Sequence, residues 1–135
     1  MDKTIIRIYL SGKITGVAND NLPKFKAAAE FIQFQHRPVY KAINGKAPDF
    51  DCHVFVPHDL PANHNKGWHE YMRECLKCLC QCEVMYVLDD WKRSRGALVE
   101  VFVAKVLQIP IIEVETLNDL KITWTQLLAK ILVRI

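Results

Sequence analysis

The hydrophobic positions along the chain switch repeatedly between a strand-like and a helix-like period. Ile5-Ile6-Arg7-Ile8-Tyr9-Leu10 is a short β-branched apolar run that ends at the glycine-containing loop Ser11 to Gly16, the pattern of a buried strand. Beyond it, Phe25, Ala28, Ala29 and Ile32 recur at the spacing of one helical face. Asn21 stands where it can cap that helix, and Pro23 falls in its first turn. Residues 36–51, with two prolines and a glycine, read as irregular.

Val54-Phe55-Val56 before Pro57 predicts a second strand, and Asp59 to Gly67 a polar connection. Trp68 to Cys82 returns to helical spacing, with Tyr71, Cys75, Cys78 and Cys82 on one stripe and Met72, Leu76 and Leu79 beside it. Val84 to Leu88 is a continuous apolar strand, Asp89 to Arg93 a turn, Ser94 to Leu107 a helix, and Ile109 to Val114 a further strand. Trp124, Leu127, Leu128 and Ile131 mark a closing helix.

Strands alternating with helices, and apolar along their whole length, predict a parallel sheet covered on both faces. The expected fold is α/β: a single-domain, three-layer αβα sandwich over residues 1–135 with a flavodoxin-like (Rossmann-like) sheet of four to five strands. Ligands of such sheets bind at the carboxyl ends of the strands. That singles out two loops, Ser11 to Gly16 and Asp89 to Ser94.

Composition agrees with a domain that builds its own core. Half of the 135 residues are hydrophobic and 24% are charged, so neither disorder nor disulfide stapling is needed. The net charge of +3 suits a small anionic ligand, but the basic residues are scattered except at Lys92, Arg93 and Arg95. A nucleic-acid polymer is not an expected partner. No apolar run approaches the roughly 20 residues of a membrane span, and Met1-Asp2-Lys3-Thr4 leads straight into a strand rather than a signal peptide. A cytoplasmic protein with free thiols is expected.

The helix from Ser94 carries the most chemistry. Ser94 is a good N-cap and Gly96 sits in the first turn, where unpaired N–H groups and the helix dipole favour an anion. Arg93 or Arg95 adds positive charge, and Trp91 is placed to stack on a base or to pack. From Ala97 to Ala104 every residue is apolar except Glu100. A carboxylate in so apolar a helix is costly unless it is paired or functional. Gly96, Glu100 and Ala104 share one face. Glu100 is therefore a ligand-facing carboxylate, or the partner of a nearby cation, or a subunit contact. A helix this apolar all round also predicts a homodimer or higher homo-oligomer.

These segments resemble the nucleoside 2-deoxyribosyltransferase-like superfamily, in particular a bacterial and phage branch of unassigned role. Tyr9-Leu10-Ser11-Gly12-Lys13-Ile14-Thr15-Gly16 looks like its first strand and ligand loop. Trp68, Tyr71, Arg73 and Leu76 through Cys82 look like its second-helix pattern. Leu88, Trp91 and Ser94-Arg95-Gly96-Ala97 with Glu100 look like its active-site turn and helix, followed by Ala104 and Ile109-Pro110. The similarity runs from about Ile5 to Val114, with residues 36–51 as an insertion, a lid or an oligomer contact.

The resemblance implies an N-glycosidase or 2-deoxyribosyltransferase acting on a nucleoside or nucleotide, without a cofactor. Glu100 would be the nucleophile at the anomeric carbon. Ser94 and Gly96 would hold a phosphate, as in deoxynucleoside 5′-monophosphate N-glycosidases. Ser11, Gly12, Lys13, Ile14, Thr15 and Gly16 would line the phosphate and sugar. One position departs: catalytic members carry an aspartate where this chain has Cys75, leaving Asp89 or Asp90 as substitute carboxylates. The alternative is a nucleotide-binding or sensor protein that keeps the fold without turnover.

Other patterns carry less. Cys75, Cys78, Cys80 and Cys82 are spaced C-x-x-C-x-C-x-C, but most fall on the core-facing stripe and no second CxxC exists, so no metal is assigned. His53, His58, His64 and His69 receive no role, and Gly12-Lys13 lacks the rest of a P-loop.

Overall fold

The computed structural model describes residues 4–44, 50–60 and 67–114. Four strands, β1 (Thr4–Ser11), β2 (Phe50–Phe55), β3 (Val84–Val87) and β4 (Ile111–Glu113), alternate with three helices, α1 (Leu22–Asn44), α2 (Trp68–Cys80) and α3 (Arg95–Val106). All strand pairs are parallel and the sheet order is β2-β1-β3-β4. The expected α/β sandwich is therefore present, with four strands among the described residues. The closing helix expected around Trp124 to Ile131 lies outside the described residues.

Alternation along β1 divides the core. Ile6, Ile8 and Leu10 turn to one face, where they meet Phe25, Ala28 and Ile32 of α1. Tyr9 turns to the other face, against Cys75 and Leu79 of α2 and Ala97, Val101 and Ala104 of α3. Among the described residues one helix thus covers the first face, and two helices pack side by side over the second. A single residue of register slip would exchange these sets.

From β1 the chain crosses to β2 at one edge; from β3 it crosses to β4 at the other. The crevice where these directions diverge lies above the carboxyl ends of β1 and β3, the topological switch point of an open parallel sheet. The loop leaving β1 passes close over β3. A Cβ on Gly12 would stand 2.7–2.9 Å from side-chain atoms of Leu88, so glycine is required there by packing.

Residues 36–51 correct the sequence reading. Helix α1 continues through Pro38 to Asn44, and β2 begins at Phe50. An interior proline deletes one backbone hydrogen bond and bends a helix, but it does not prevent the residues beyond it from staying helical. Helix α3 carries an apolar stripe on its outer side in the single chain. Leu98, Phe102, Val106 and Leu107 are exposed, Phe102 by 68%; the first three follow one another at i, i+4 and i+8. No helix among the described residues is long and apolar enough to cross a membrane.

Candidate active site

Helix α3 sets Glu100 on its buried face with Ala97, Val101 and Ala104. Glu100 is only 4% exposed. Tyr9 and Ser11, two residues apart on β1 and so on the same face of the sheet, reach up to it. The Tyr9 hydroxyl donates to Oε2, and Ser11 Oγ donates to Oε1 at 2.7 Å. Both partners are neutral. Burial raises the Glu100 pKa to about 7, with the two hydrogen bonds pulling it back down. Burial, then the charge of Glu100, pushes the Tyr9 hydroxyl well above its ordinary value. The result is a carboxyl group poised to exchange its proton near neutrality.

Above Glu100 opens a cavity of about 280 Å³. Gly12, Ile14, Thr15 and Asp20 from the loop after β1 form one side, and Pro57 follows β2. Trp68, Tyr71, Met72 and Cys75 come from the first turns of α2, and Ser94, Gly96 and Ala97 from the start of α3. Ser94 caps α3: its Oγ accepts from the Ala97 N–H at 3.1 Å, which leaves the hydroxyl proton to donate to a ligand. The amides of Arg95 and Gly96 have no carbonyl within the helix to bond. Gly96 serves packing as well, since a Cβ there would lie 3.2 Å from the Met72 sulfur. The Arg95 guanidinium covers the Trp68 ring at 3.9 Å and joins the two helix starts.

Most residues singled out by sequence converge here: Gly12, Ile14, Thr15, Ser94, Gly96 and Glu100 line one cavity. Others are placed differently. Ser11 is fully buried behind Glu100 and bonds to the carboxylate rather than standing in the lining. The Lys13 N–H is bonded to Asp90 Oδ1 at 2.9 Å, and Gly16 takes a positive φ of 82° at an exposed bend. Asp89 points away: it is exposed and paired with Lys24 of α1 at 2.5 Å. It borders a separate cavity of about 390 Å³ with Ala28, Leu88 and Val114. Trp91 is buried in the core beneath α2 and α3, outside the cavity lining. The turn after β3 tucks that ring inward, so Trp68 is the indole at the site.

Three residues of the site were missed or undervalued. Tyr9 is the one hydroxyl-bearing side chain in the run Ile5 to Leu10, two positions before Ser11, which was its signal. Tyr71 was read as a core residue; it lines the cavity, and its hydroxyl finds no well-formed hydrogen bond and has the Cys75 thiol beside it. Asp20 had no sequence signal, because a left-handed backbone places it. Asn19, Asp20 and Asn21 all have positive φ, 54, 53 and 60°, a conformation Asn and Asp tolerate best among non-glycine residues.

Cys75 is buried in the lining, with the Tyr9 and Tyr71 hydroxyls close to its sulfur, and burial pushes its pKa up to about 11. It is a neutral thiol at physiological pH. Cys82 donates to the Cys78 carbonyl at 3.3 Å. Among the described residues no group of three His, Cys, Asp or Glu side chains is arranged to hold a metal ion.

Residues 6–113 match the family model of a domain of unknown function, DUF4406. The chain belongs to that family. No curated protein sequence matches this DUF4406 protein. Among solved structures it is similar to the 2-deoxyribosyltransferase of the psychrotolerant bacterium Bacillus psychrosaccharolyticus. The TM-score is 0.53 with 14% sequence identity, over 79% of this chain and 70% of that one. At that identity the likeness is one of fold, a distant relation in keeping with the flavodoxin-like sheet described above.

Proposed function

We propose that this DUF4406 protein is a nucleoside or nucleotide N-glycosidase or 2-deoxyribosyltransferase with Glu100 as its nucleophile. One observation carries the reading: a carboxyl group held by two neutral hydroxyls at the floor of a cavity, beneath a helix N-terminus, at the switch point of the sheet. In the ionised form, a Glu100 oxygen attacks the anomeric carbon of the sugar. The bond from that carbon to the base nitrogen breaks, its electron pair leaving with the base. The glycosyl ester then yields to water or to a second base. Two displacements replace one difficult step.

With a pKa of about 7, Glu100 is ionised in a large fraction of molecules at neutral pH, and its burial leaves that charge weakly solvated. Ser94 Oγ and the amides of Arg95 and Gly96 suit a 5′-phosphate, while Gly12, Ile14 and Thr15 wall the sugar. We include in this reading a homodimer or higher homo-oligomer formed through Leu98, Phe102 and Val106, which size-exclusion chromatography tests; a monomer at all concentrations refutes that part.

Incubation with a panel of deoxynucleosides and their monophosphates, followed by chromatography for free base, tests the activity. Release by the wild-type protein that disappears in Glu100→Gln supports it. A second reading, a nucleotide sensor without turnover, is favoured by Cys75, a neutral thiol where catalytic members of the resembled superfamily carry a carboxylate. Thermal stabilisation by a nucleotide without base release would select that reading.

A further inference from the structure

The two carboxylates that line the cavity among the described residues are Glu100 and Asp20, and only the first is used above. The backbone holds Asp20 in place on both sides. His58 Nε2 meets the Asp20 carbonyl oxygen at 2.7 Å, and the neighbouring Asn21 amide donates to the Lys13 carbonyl at 2.7 Å and to Asp90 Oδ2 at 3.2 Å. Asp20 is exposed to solvent where it meets the cavity, and no described residue hydrogen-bonds or ion-pairs with its carboxylate. Its charge is nevertheless felt at Tyr71, whose hydroxyl pKa is raised by burial first, then by Cys75, Glu100 and Asp20. The cavity therefore contains an acceptor pair near a hydroxyl that lacks a well-formed partner.

Strand order fixes where this pair lies along a bound ligand. The start of α3 follows β3, Glu100 lies beneath the centre, and Pro57 and His58 follow β2 on the far side of β1. A phosphate at Ser94 and Gly96 and an anomeric carbon over Glu100 send the base toward β2, to Asp20, Tyr71 and Pro57. We propose that Asp20 and Tyr71 read the base, and that the base they select is guanine. A carboxylate offers two parallel acceptors, and guanine is the common base with two adjacent donors, N1–H and the 2-amino group, on one edge. Its O6, next along that edge, accepts from the Tyr71 hydroxyl. Adenine and cytosine present one donor beside an acceptor, and thymine a donor between two acceptors, so each sets an acceptor against one carboxylate oxygen.

The inference rests on the nucleotide reading, and one experiment separates the two. Wild-type, Asp20→Asn and Tyr71→Phe proteins are titrated calorimetrically with dGMP, dIMP, dAMP, dCMP and dTMP, and each mixture is assayed for free base. Asparagine tolerates the left-handed backbone at position 20, so the fold is kept. Expected are tightest binding of dGMP, dIMP next, and a loss of the guanine preference in Asp20→Asn of roughly ten- to a hundredfold. Tyr71→Phe should weaken dGMP and dIMP together while leaving their ratio intact. If another base binds tightest, or Asp20→Asn keeps the ranking, the guanine assignment falls while base release still upholds the glycosidase reading. If no nucleotide binds and no base is released, the parent reading falls and takes the assignment with it.

Discussion

Among the described residues two carboxylates are buried at the carboxyl end of the sheet, and their surroundings are opposite. Asp90, 6% exposed, takes the Lys13 N–H on Oδ1, the Asn21 amide on Oδ2, and Lys24 Nζ at 3.3 Å. It has a cation and amide donors, and it knots the loop after β1 to the turn after β3. Glu100, 4% exposed, has two neutral hydroxyls and a cavity above it. Burial with amide donors, and a cation only at the edge, locks structure. Burial against neutral hydroxyls alone raises a pKa and stores reactivity. The same residue class at the same depth thus does two jobs, and partners rather than burial tell them apart.

The sharpest way to break this contrast is to neutralise each group. Glu100→Gln should abolish base release, by at least on the order of a thousandfold, while the protein stays folded. Asp90→Ala should unfold the loop knot instead. It strands the Asn21 amide and the Lys13 N–H, and chemical denaturation should show a loss of about 2–4 kcal/mol. If Asp90→Ala is as stable as wild type, the structural role assigned to it is wrong.

pH separates the pair next. Folded protein holds the Glu100 proton up to about pH 7, whereas the unfolded chain releases it near 4.5. Its favourable contribution is complete below about pH 4.5 and is lost as pH rises through 7. Glu100→Gln removes that dependence. The stability of the variant relative to wild type should therefore climb between pH 5 and pH 8, reaching about 3 kcal/mol at most. A flat difference across that window would mean that Glu100 is ionised throughout.

How much of this was visible beforehand follows from the range of each interaction. The sheet, its strands and the Ser94 helix start were legible because local hydrophobic period and a cap residue specify them. Glu100 was legible because a lone charge in an apolar helix breaks a pattern. Its pairing was not: Tyr9 and Glu100 are 91 residues apart in sequence, and a contact between a strand and the helix packed on it is not written in either segment alone. Asp89 and Asp90 looked equivalent as neighbours in one turn, yet consecutive side chains there diverge, one to the exposed Lys24 pair and one into the loop knot. Asp20 was hidden because three consecutive left-handed residues, not a sequence motif, aim it at the site. Pro38 misled in the opposite sense, as a breaker inside a helix that continues.

A smaller effect tests the hydroxyl side of the comparison. Tyr9→Phe deletes the donor to Glu100 Oε2 and keeps the ring that fills the core. That hydrogen bond lowers the Glu100 pKa, so its loss moves the alkaline-going limb of the rate profile to higher pH. At pH 7 base release should fall about tenfold, the equivalent of one charge-assisted hydrogen bond, and recover in part at pH 8.5. A fall equal at both pH values would show that Tyr9 only positions the sugar or the helix.

Least affected should be the exposed pair that flanks the knot. Lys24 meets Asp89 and Asp90, but its side chain and that of Asp89 are 43% and 49% exposed. Water screens such a contact, and holding two flexible side chains together costs entropy. Lys24→Met keeps the aliphatic stem and removes only the charge. The unfolding free energy from denaturant titration should then fall by less than about 1 kcal/mol, and added salt should shrink even that difference. Were the loss comparable to that of Asp90→Ala, the cation rather than the amide donors would be what makes Asp90 a structural carboxylate. The distinction from Glu100 would then rest on one lysine.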